Sequence, residues 1–543
     1  MNSKEILKFC INNGILLDKE ILDLFSEATD LDTVKLVINK LKGQTQKKIL
    51  TKSVFFENKE EVNNFLENLP EENQKDFEKL KIKLGLSIEI SKEVPLVKST
   101  EFLKDNESKE FLITGPAVEE TKEKAKEKIF EPNRKIKVLT PNPPQGKKLE
   151  VKDFVSYFRN RLSEMSLFLQ ERPELNNLVS LNKISGSRQG VSIIGIVSSK
   201  RVTKNKNIIF EIEDLTGKSK VLVNKNKPEL LEKAEEISLD SVIGFKVSGN
   251  KDILFANDII FPDSFLSQRK NSNLDESVIF LGDFHFGSKN FLTSDFEKFV
   301  KYLEEDNPEV QKIKYIFIVG DIVTGVGNYP NQERDLEIKD LEEQFVKIAE
   351  YLKRIRKDIT IIISPGNHDG VRLMEPQPLL DEKYAWPLYE LENVILIPNP
   401  CSVNIGASED FSGFEVLVYH GFSFPYYVNT VPRLMKERAM NDPDKIMKYI
   451  LRNRHLSPSH GFVQAFPSKK EANIIRNIPD IFISGHSHKS AVSYYNNILL
   501  VSGSSWESET PYQEKFGNKP DHCKVPLFNL KTRQIKILDF EEK

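Results

Sequence analysis

Long apolar runs are missing from this 543-residue chain. None reaches the roughly 18–20 residues that a membrane-spanning helix requires. The opening MNSKEILKFCINNG is too polar for a secretory signal. Cysteine is scarce: Cys10, Cys401 and Cys523 lie far apart, which argues against a disulfide framework and against a thiolate metal site. Charge of one sign is not in excess either. The 78 basic and 81 acidic residues leave a net charge of -3. The chain as a whole therefore does not advertise nucleic-acid binding, although a local basic groove is compatible with that sum. The expectation is a soluble, cytoplasmic protein of roughly two to four domains.

What is present changes character along the chain. Residues 1–75 read as a helical module, with apolar residues at helical spacing such as Ile6, Leu7, Phe9 and Cys10, then Ile21, Leu22, Leu24 and Phe25. Residues 76–150 are rich in Lys and Glu, include EETKEKAKEK (119–128), and end in TPNPPQG, the composition of a flexible charged linker. A connecting helix is expected within 151–179. Residues 180–265 then give three strands, a helix opened by Pro228, and two more strands, the order of a five-stranded OB barrel. The turn Asp214-Leu215-Thr216-Gly217 joins the second and third strands, with Gly217 free to take positive φ. Phe210, Phe245 and Phe255 sit in apolar runs and are expected in the barrel core, which favours the barrel as a subunit-docking platform over a single-strand binder.

From 276 to 543 strands and helices alternate. SVIFLGD, YIFIVGD, TIIIS, NVILIP, EVLVYH, DIFISGH and NILLVSG are nearly continuous apolar runs, as for strands covered on both faces. The expected fold class is thus multidomain α/β, with a C-terminal α/β sandwich behind an OB barrel and a small helical module.

Five of those strands end in residues able to hold a metal. GDFH offers Asp283 and His285, VGD offers Asp321, PGNHD offers Asn367 and His368, VYHG offers His420, and SGHSH offers His486 and His488. Five of the chain's 8 histidines lie at these ends. Each fragment alone reads as a turn or a cap. All five in this order, each after a buried strand, form a constellation, because ligands collect at the carboxyl ends of strands in α/β sheets.

The order D-x-H, G-D, G-N-H-D, H, G-H-x-H resembles the calcineurin-like metallophosphoesterase superfamily, with no ligand position missing. The resemblance implies two adjacent divalent ions: one on Asp283, His285, Asp321 and His488, the other on Asp321, Asn367, His420 and His486, with Asp321 shared. Imidazole, carboxylate and amide oxygen suit Mn²⁺, Fe or Zn²⁺ better than Mg²⁺, and manganese is the expected ion. His368 would then donate a proton to the leaving oxygen or stabilise its developing charge. Asp369 would either orient that imidazole or cap the following turn.

The segments between the motifs narrow the resemblance. GVGNYPNQ (325–332), GNHDGVRLMEPQPLL (366–380), PNPCSVNI (398–405), ILRNRHLSPSHG (450–461) and SGSSWESETPYQ (502–513) together resemble the small-subunit family of archaeal DNA polymerase D. That likeness covers 180–543 well and 1–150 in general character. It implies a 3′→5′ proofreading exonuclease, a large catalytic partner subunit, DNA with a single-stranded or frayed 3′ end, and a sliding clamp reached through the complex. KKILTKSVFF (47–56) lacks the spacing of a clamp-binding box. Arg372, Arg452, Arg454 and His455 are candidate substrate contacts, or alternatively fold-stabilising residues. HGFSFPYY (420–427), Glu507 after Trp506, and PDHCKVP (520–526) depart from the family pattern, which bears on substrate contacts and not on the metal site. Two alternatives stay open: a largely structural polymerase B-subunit scaffold with weak activity, and a stand-alone repair nuclease or phosphodiesterase.

Overall fold

The computed structural model describes residues 135–543 apart from 145, 147, 185–189, 462, 469, 518 and 543, together with 3–13 and scattered positions between 15 and 50. The chain divides into two units, Met1–Glu123 and Lys124–Lys543. In the first, a helix spans Ser3–Asn12, and β1 (Leu16–Leu17) pairs in parallel with β2 (Ile49–Leu50). The rest of the expected helical module, most of KKILTKSVFF and the linker through residue 134 lie outside the described residues.

The second unit begins with a difference from expectation. Lys135–Val138 (β3) is an edge strand and not part of a tether. It pairs antiparallel with Cys401–Ala407. Four residues of KIKV carry too little apolar pattern to reveal a strand whose pairing partner lies far along the chain. The following helix, Val151–Gln170, buries Tyr157, Leu162, Met165 and Leu169 at helical spacing, together with Arg161. Arg161 Nε lies 3.0 Å from Glu471 Oε2, and both side chains are buried. Tyr157 and His455 complete this buried network around Glu471.

Next come β4 (Val191–Val202), β5 (Ile208–Glu213), β6 (Lys218–Val223), a helix at Pro228–Glu235, β7 (Val242–Gly249) and β8 (Leu254–Ile260). They close a barrel in the order β4-β5-β6-β8-β7, with β6 and β8 parallel and the other pairs antiparallel. Alternate residues of each strand fill the interior, and Leu230 and Ala234 of the helix join the same core. In the β5–β6 turn the Asp214 carboxylate accepts the Thr216 and Gly217 amides at 2.6 and 2.9 Å. Gly217 stays out of the left-handed region, so that bonded turn does not need a glycine for its φ. Phe210 and Phe245 are buried as expected, but Phe255 is 47% exposed. The apolar run hid its outward side of the pleat. The barrel is joined to the rest by Glu236, which is buried and pairs with both Arg433 and Arg452.

The C-terminal region is a four-layer sandwich. Its first sheet contains β9 (Ser277–Leu281), β10 (Ile313–Val319), β11 (Thr360–Ser364) and β12 (Val394–Leu396), all parallel. The second holds β13 (Cys401–Ala407), β14 (Phe414–Val418), β15 (Ile481–Ser484), β16 (Ala491–Tyr495) and β17 (Ile498–Ser502). The antiparallel hairpin β18 (Lys524–Asn529) and β19 (Ile535–Asp539) returns to extend the first sheet beside β9. Side chains alternate faces along a strand. Val278 and Phe280 therefore meet Val416 and Ile483 between the sheets, while Ile279 and Leu281 face the helices Thr293–Glu304 and Leu341–Leu352. The outer face of the second sheet packs on the helices Phe424–Thr430 and Pro443–Asn453. Double coverage explains why the central strands read as continuous apolar runs. It also aligns the carboxyl ends of β9, β10, β11, β14 and β15 along one edge of the sandwich.

Candidate metal centre

The seven residues expected to ligate metal meet at that edge. Asp283 and His285 follow β9, Asp321 follows β10, Asn367 follows β11, His420 follows β14, and His486 and His488 follow β15. Ligand atoms of Asp283, His285 and His488 lie within 4.8 Å of one another, as do those of Asp321, His420 and His486. Asp321 Oδ2 stands 3.2 Å from His420 Nε2 and 3.9 Å from His285 Nε2, between the two groups. Asn367 Oδ1 is 3.0 Å from His420 Nε2, and His285 Nε2 is 3.0 Å from His488 Nε2.

The backbone is bent to achieve this. Asp283, His285, Asp321, His486 and His488 all take positive φ, between 48° and 65°. For non-glycine residues that costs on the order of 1 kcal/mol each and is held only where the surroundings enforce it. Glycines give the room: a Cβ on Gly366 would lie 2.2 Å from Asp321 Oδ1, and one on Gly320 would lie 2.6 Å from His420 Nδ1. Hydrogen bonds fix the rest. Asp321 Oδ1 accepts the His368 amide at 2.8 Å, and Asp283 Oδ1 accepts the His486 amide at 2.9 Å. His420 Nδ1–H donates to the Val319 carbonyl at 2.9 Å, which leaves its Nε2 lone pair facing the cluster. Asn399 accepts the His420 amide and donates to Gln377, which in turn donates to the Gly366 carbonyl.

Electrostatics in the cluster suit a bound cation. Burial and the neighbouring Asp321 push the Asp283 carboxyl well above its ordinary value. Its Oδ2 is buried without a hydrogen-bond partner. Burial opposes the Asp321 charge, yet His420 and His368 hold that carboxyl well below the usual range. His285 and His486 are both pushed down to about 3, by burial first and then by adjacent imidazoles, so they present neutral lone pairs. An orphaned buried carboxylate oxygen, neutral imidazoles and an amide oxygen fit a divalent ion.

His368 lines the mouth of the same cavity, with its ring centroid 4.8 Å from that of His285. Its Nδ1 lies 3.0 Å from the Thr324 carbonyl and 3.2 Å from the Asn328 amide nitrogen. Asp369 does not reach the His368 ring. Its two oxygens accept the Val323 and Gly366 amides at 3.0 and 2.7 Å, so it pins two ligand-bearing loops together. Burial and the Asp321 charge push it up to about 7.

The four candidate substrate contacts need correction, because none lines the cavity. Arg372 donates to the Pro376 carbonyl and lies 4.0 Å over the Phe466 ring. Arg452 pairs with Glu236 and covers Phe261. Arg454 caps the Ile475 and Arg476 carbonyls, and His455 is buried against Glu471. Acceptors and rings of the fold hold the three arginines and the His455 imidazole, so they stabilise the fold. Residues that do approach the centre were not singled out from sequence: Thr324, Asn328 within GVGNYPNQ, Gln513, whose side chain sits 2.8 Å from His488 Nδ1, and Ser288, bonded to Glu507. The family-like segments that contain Asn328 and Gln513, and the departure at Glu507, were the visible signals.

The cavity above the cluster encloses about 1340 Å³. No helix among the described residues is long and apolar enough to cross a membrane. The calcineurin-like phosphoesterase family matches residues 277–490, the stretch that supplies every candidate ligand. The DNA polymerase II small subunit of Pyrococcus furiosus is 36% identical over 424 residues, covering 75% of this chain and 67% of that protein. Its counterpart in Methanothermobacter thermautotrophicus is 36% identical over 398 residues, 72% of this chain and 80% of that one. In Archaeoglobus fulgidus the figures are 34% over 440 residues, 76% and 86%. Identity at that level over most of both chains, joined to a phosphoesterase frame whose Asp/His clusters could hold divalent cations, makes this chain a member of the archaeal DNA polymerase II small-subunit family, also called polymerase D.

Proposed function

We propose that the chain is the 3′→5′ proofreading exonuclease of a polymerase D heterodimer, hydrolysing DNA phosphodiester bonds at a two-metal centre. The observation that carries this reading is the complete donor set in two adjacent clusters around Asp321, opening into a cavity of about 1340 Å³, large enough for a nucleotide and its neighbour. Asp283, His285, Asp321 and His488 would hold one ion, and Asp321, Asn367, His420 and His486 the other. Bound there, the ions, with Mn²⁺ the expected choice, would supply Lewis-acid polarisation of the phosphate and a more acidic water.

The chain's own residues do the rest. Nδ1–H of His368 donates to the Thr324 carbonyl, which fixes the ring, and in the imidazolium form its Nε2–H is the proton given to the departing 3′ oxygen. Asp369 and Asn399 keep the ligand loops in register through backbone bonds. Arg438 and Lys519 line the cavity, are exposed, and have no acidic partner within 4.0 Å among the described residues, an arrangement suited to a polyanionic strand. The relatives' designation as small subunits supports a large polymerase subunit as partner, with any sliding clamp reached through it. We read the barrel as an OB fold, on its 1-2-3-5-4 strand order and the helix between its third and fourth strands.

The test is shortening of a 5′-labelled oligonucleotide with Mn²⁺ by wild type and His368→Ala. The reading expects stepwise loss of 5′-monophosphates from the 3′ end in wild type and a rate lower by roughly two orders of magnitude or more in the variant. Equal background rates would contradict it.

A further inference from the structure

Part of the cavity lining is apolar. It is formed by Phe422, Pro425, Val428, Met435 and Met440. Its origin lies in local helical spacing. The short helix Phe424–Thr430 turns Phe424 and Tyr427 into the core, and Leu434 follows from the next helix, Pro432–Lys436. The intervening positions Pro425 and Val428 are left towards the cavity, with Val428 and Met440 only half buried on the core. Met435 is 52% exposed, although its side chain is apolar.

Phe422 stands at the inner end of this wall. It follows the ligand His420 by two residues, and its ring lies 5.6 Å from that of His486, edge to face at 79°. A flat aromatic and two thioethers lining one cavity have no use for a bare phosphate group. It matches the face of a planar heterocycle, because aromatic and methionine side chains both pack against π systems. The cations Arg438 and Lys519 on the same cavity complement the phosphates that would accompany such a base.

We propose that Phe422, with Met435 and Met440, forms the stacking face for the unpaired terminal nucleobase whose phosphodiester lies at the metal centre. The inference rests on the nuclease reading above and adds a specificity device to it. The base is gripped by its face and not by its hydrogen-bonding edge, so all four bases are accepted. A paired end must first unstack its last nucleotide to reach the wall.

The experiment uses the assembled heterodimer with Mn²⁺ and no nucleoside triphosphates. The substrates are two 5′-labelled single strands that end in a normal nucleotide or in an abasic one. For wild type, the abasic end should raise KM roughly tenfold. Phe422→Ala should raise KM on the normal end by a similar factor and add little on the abasic end, and Phe422→Trp should recover the wild-type value. A Phe422→Ala variant whose KM is unchanged, or which changes equally on both strands, overturns the stacking wall while the nuclease reading stands. A wild-type heterodimer that shortens neither strand overturns the nuclease reading, and the wall with it.

Discussion

Asp321 accepts the backbone N–H of His368 at 2.8 Å through one carboxylate oxygen while the other faces His420. The candidate shared ligand and the proton-donor candidate are therefore fixed to one another, and disturbing the first moves the second. Asp321→Asn should abolish binding of both ions, read by titration calorimetry with Mn²⁺, and lower nuclease activity by roughly a hundredfold or more. Retention of two full-affinity ions in that variant would contradict the shared position of Asp321.

His368→Ala should behave differently. Its side chain is oriented through Thr324 and not through a ligand. The variant should keep its ions and its melting temperature and lose turnover. Metal content by mass spectrometry beside kcat separates the two outcomes.

Asp369 bonds two loop amides and leaves the imidazole of His368 alone. Asp369→Asn presents one donor to amides that need two acceptors. It should weaken Mn²⁺ affinity by about 10- to 100-fold, as loss of a ligand-orienting group does. The shape of the pH–rate profile should be retained. A changed acid limb with intact metal affinity would return Asp369 to the proton-handling role.

Most of the candidate centre was legible because residues at the ends of buried strands are marked locally, both by the apolar runs and by the polar residues ending them. The seven positions that the fold brings together could be read one motif at a time. What escaped was non-local. The strands β3, β16, β18 and β19 lie at or near the sheet edges and owe their place to partners far away in the chain, as in the pairing of Lys137 with Asn404. Arg372, Arg452, Arg454 and His455 looked like substrate contacts because sequence shows a charge but not the buried carbonyl, ring or carboxylate that holds it. Asp369 could be read two ways because an Asp after a His is equally able to face a ring or a loop amide, and only the fold chooses.

The Arg161–Glu471–His455 network ties the helix Val151–Gln170 to the C-terminal region. Glu471→Gln leaves Arg161 buried without its counter-charge and should cost about 3–5 kcal/mol in denaturant unfolding. An effect within about 0.5 kcal/mol would show that the pair is not what anchors the helix.

Acid should act on the same network. His455 is pushed down to about 4, by burial first and then by the Arg161 charge. Its Nδ1 accepts the Ser457 amide and its Nε2–H donates to Glu471, so the neutral ring is the bonded form. An unfolded chain takes up this proton near pH 6.5. The contribution of His455 is thus fully present above about pH 6.5 and is lost as pH falls towards 4. Between about pH 7 and 4.5 the wild type should lose up to roughly 3 kcal/mol more than His455→Gln. Parallel stability curves for the two proteins would contradict this.

The most direct measurement is anomalous diffraction from crystals of the full chain soaked in Mn²⁺. Two peaks are expected, one among Asp283, His285 and His488 and the other among Asn367, His420 and His486, with Asp321 between them. A single peak away from Asp321, or none at saturating Mn²⁺, would contradict the two-metal account.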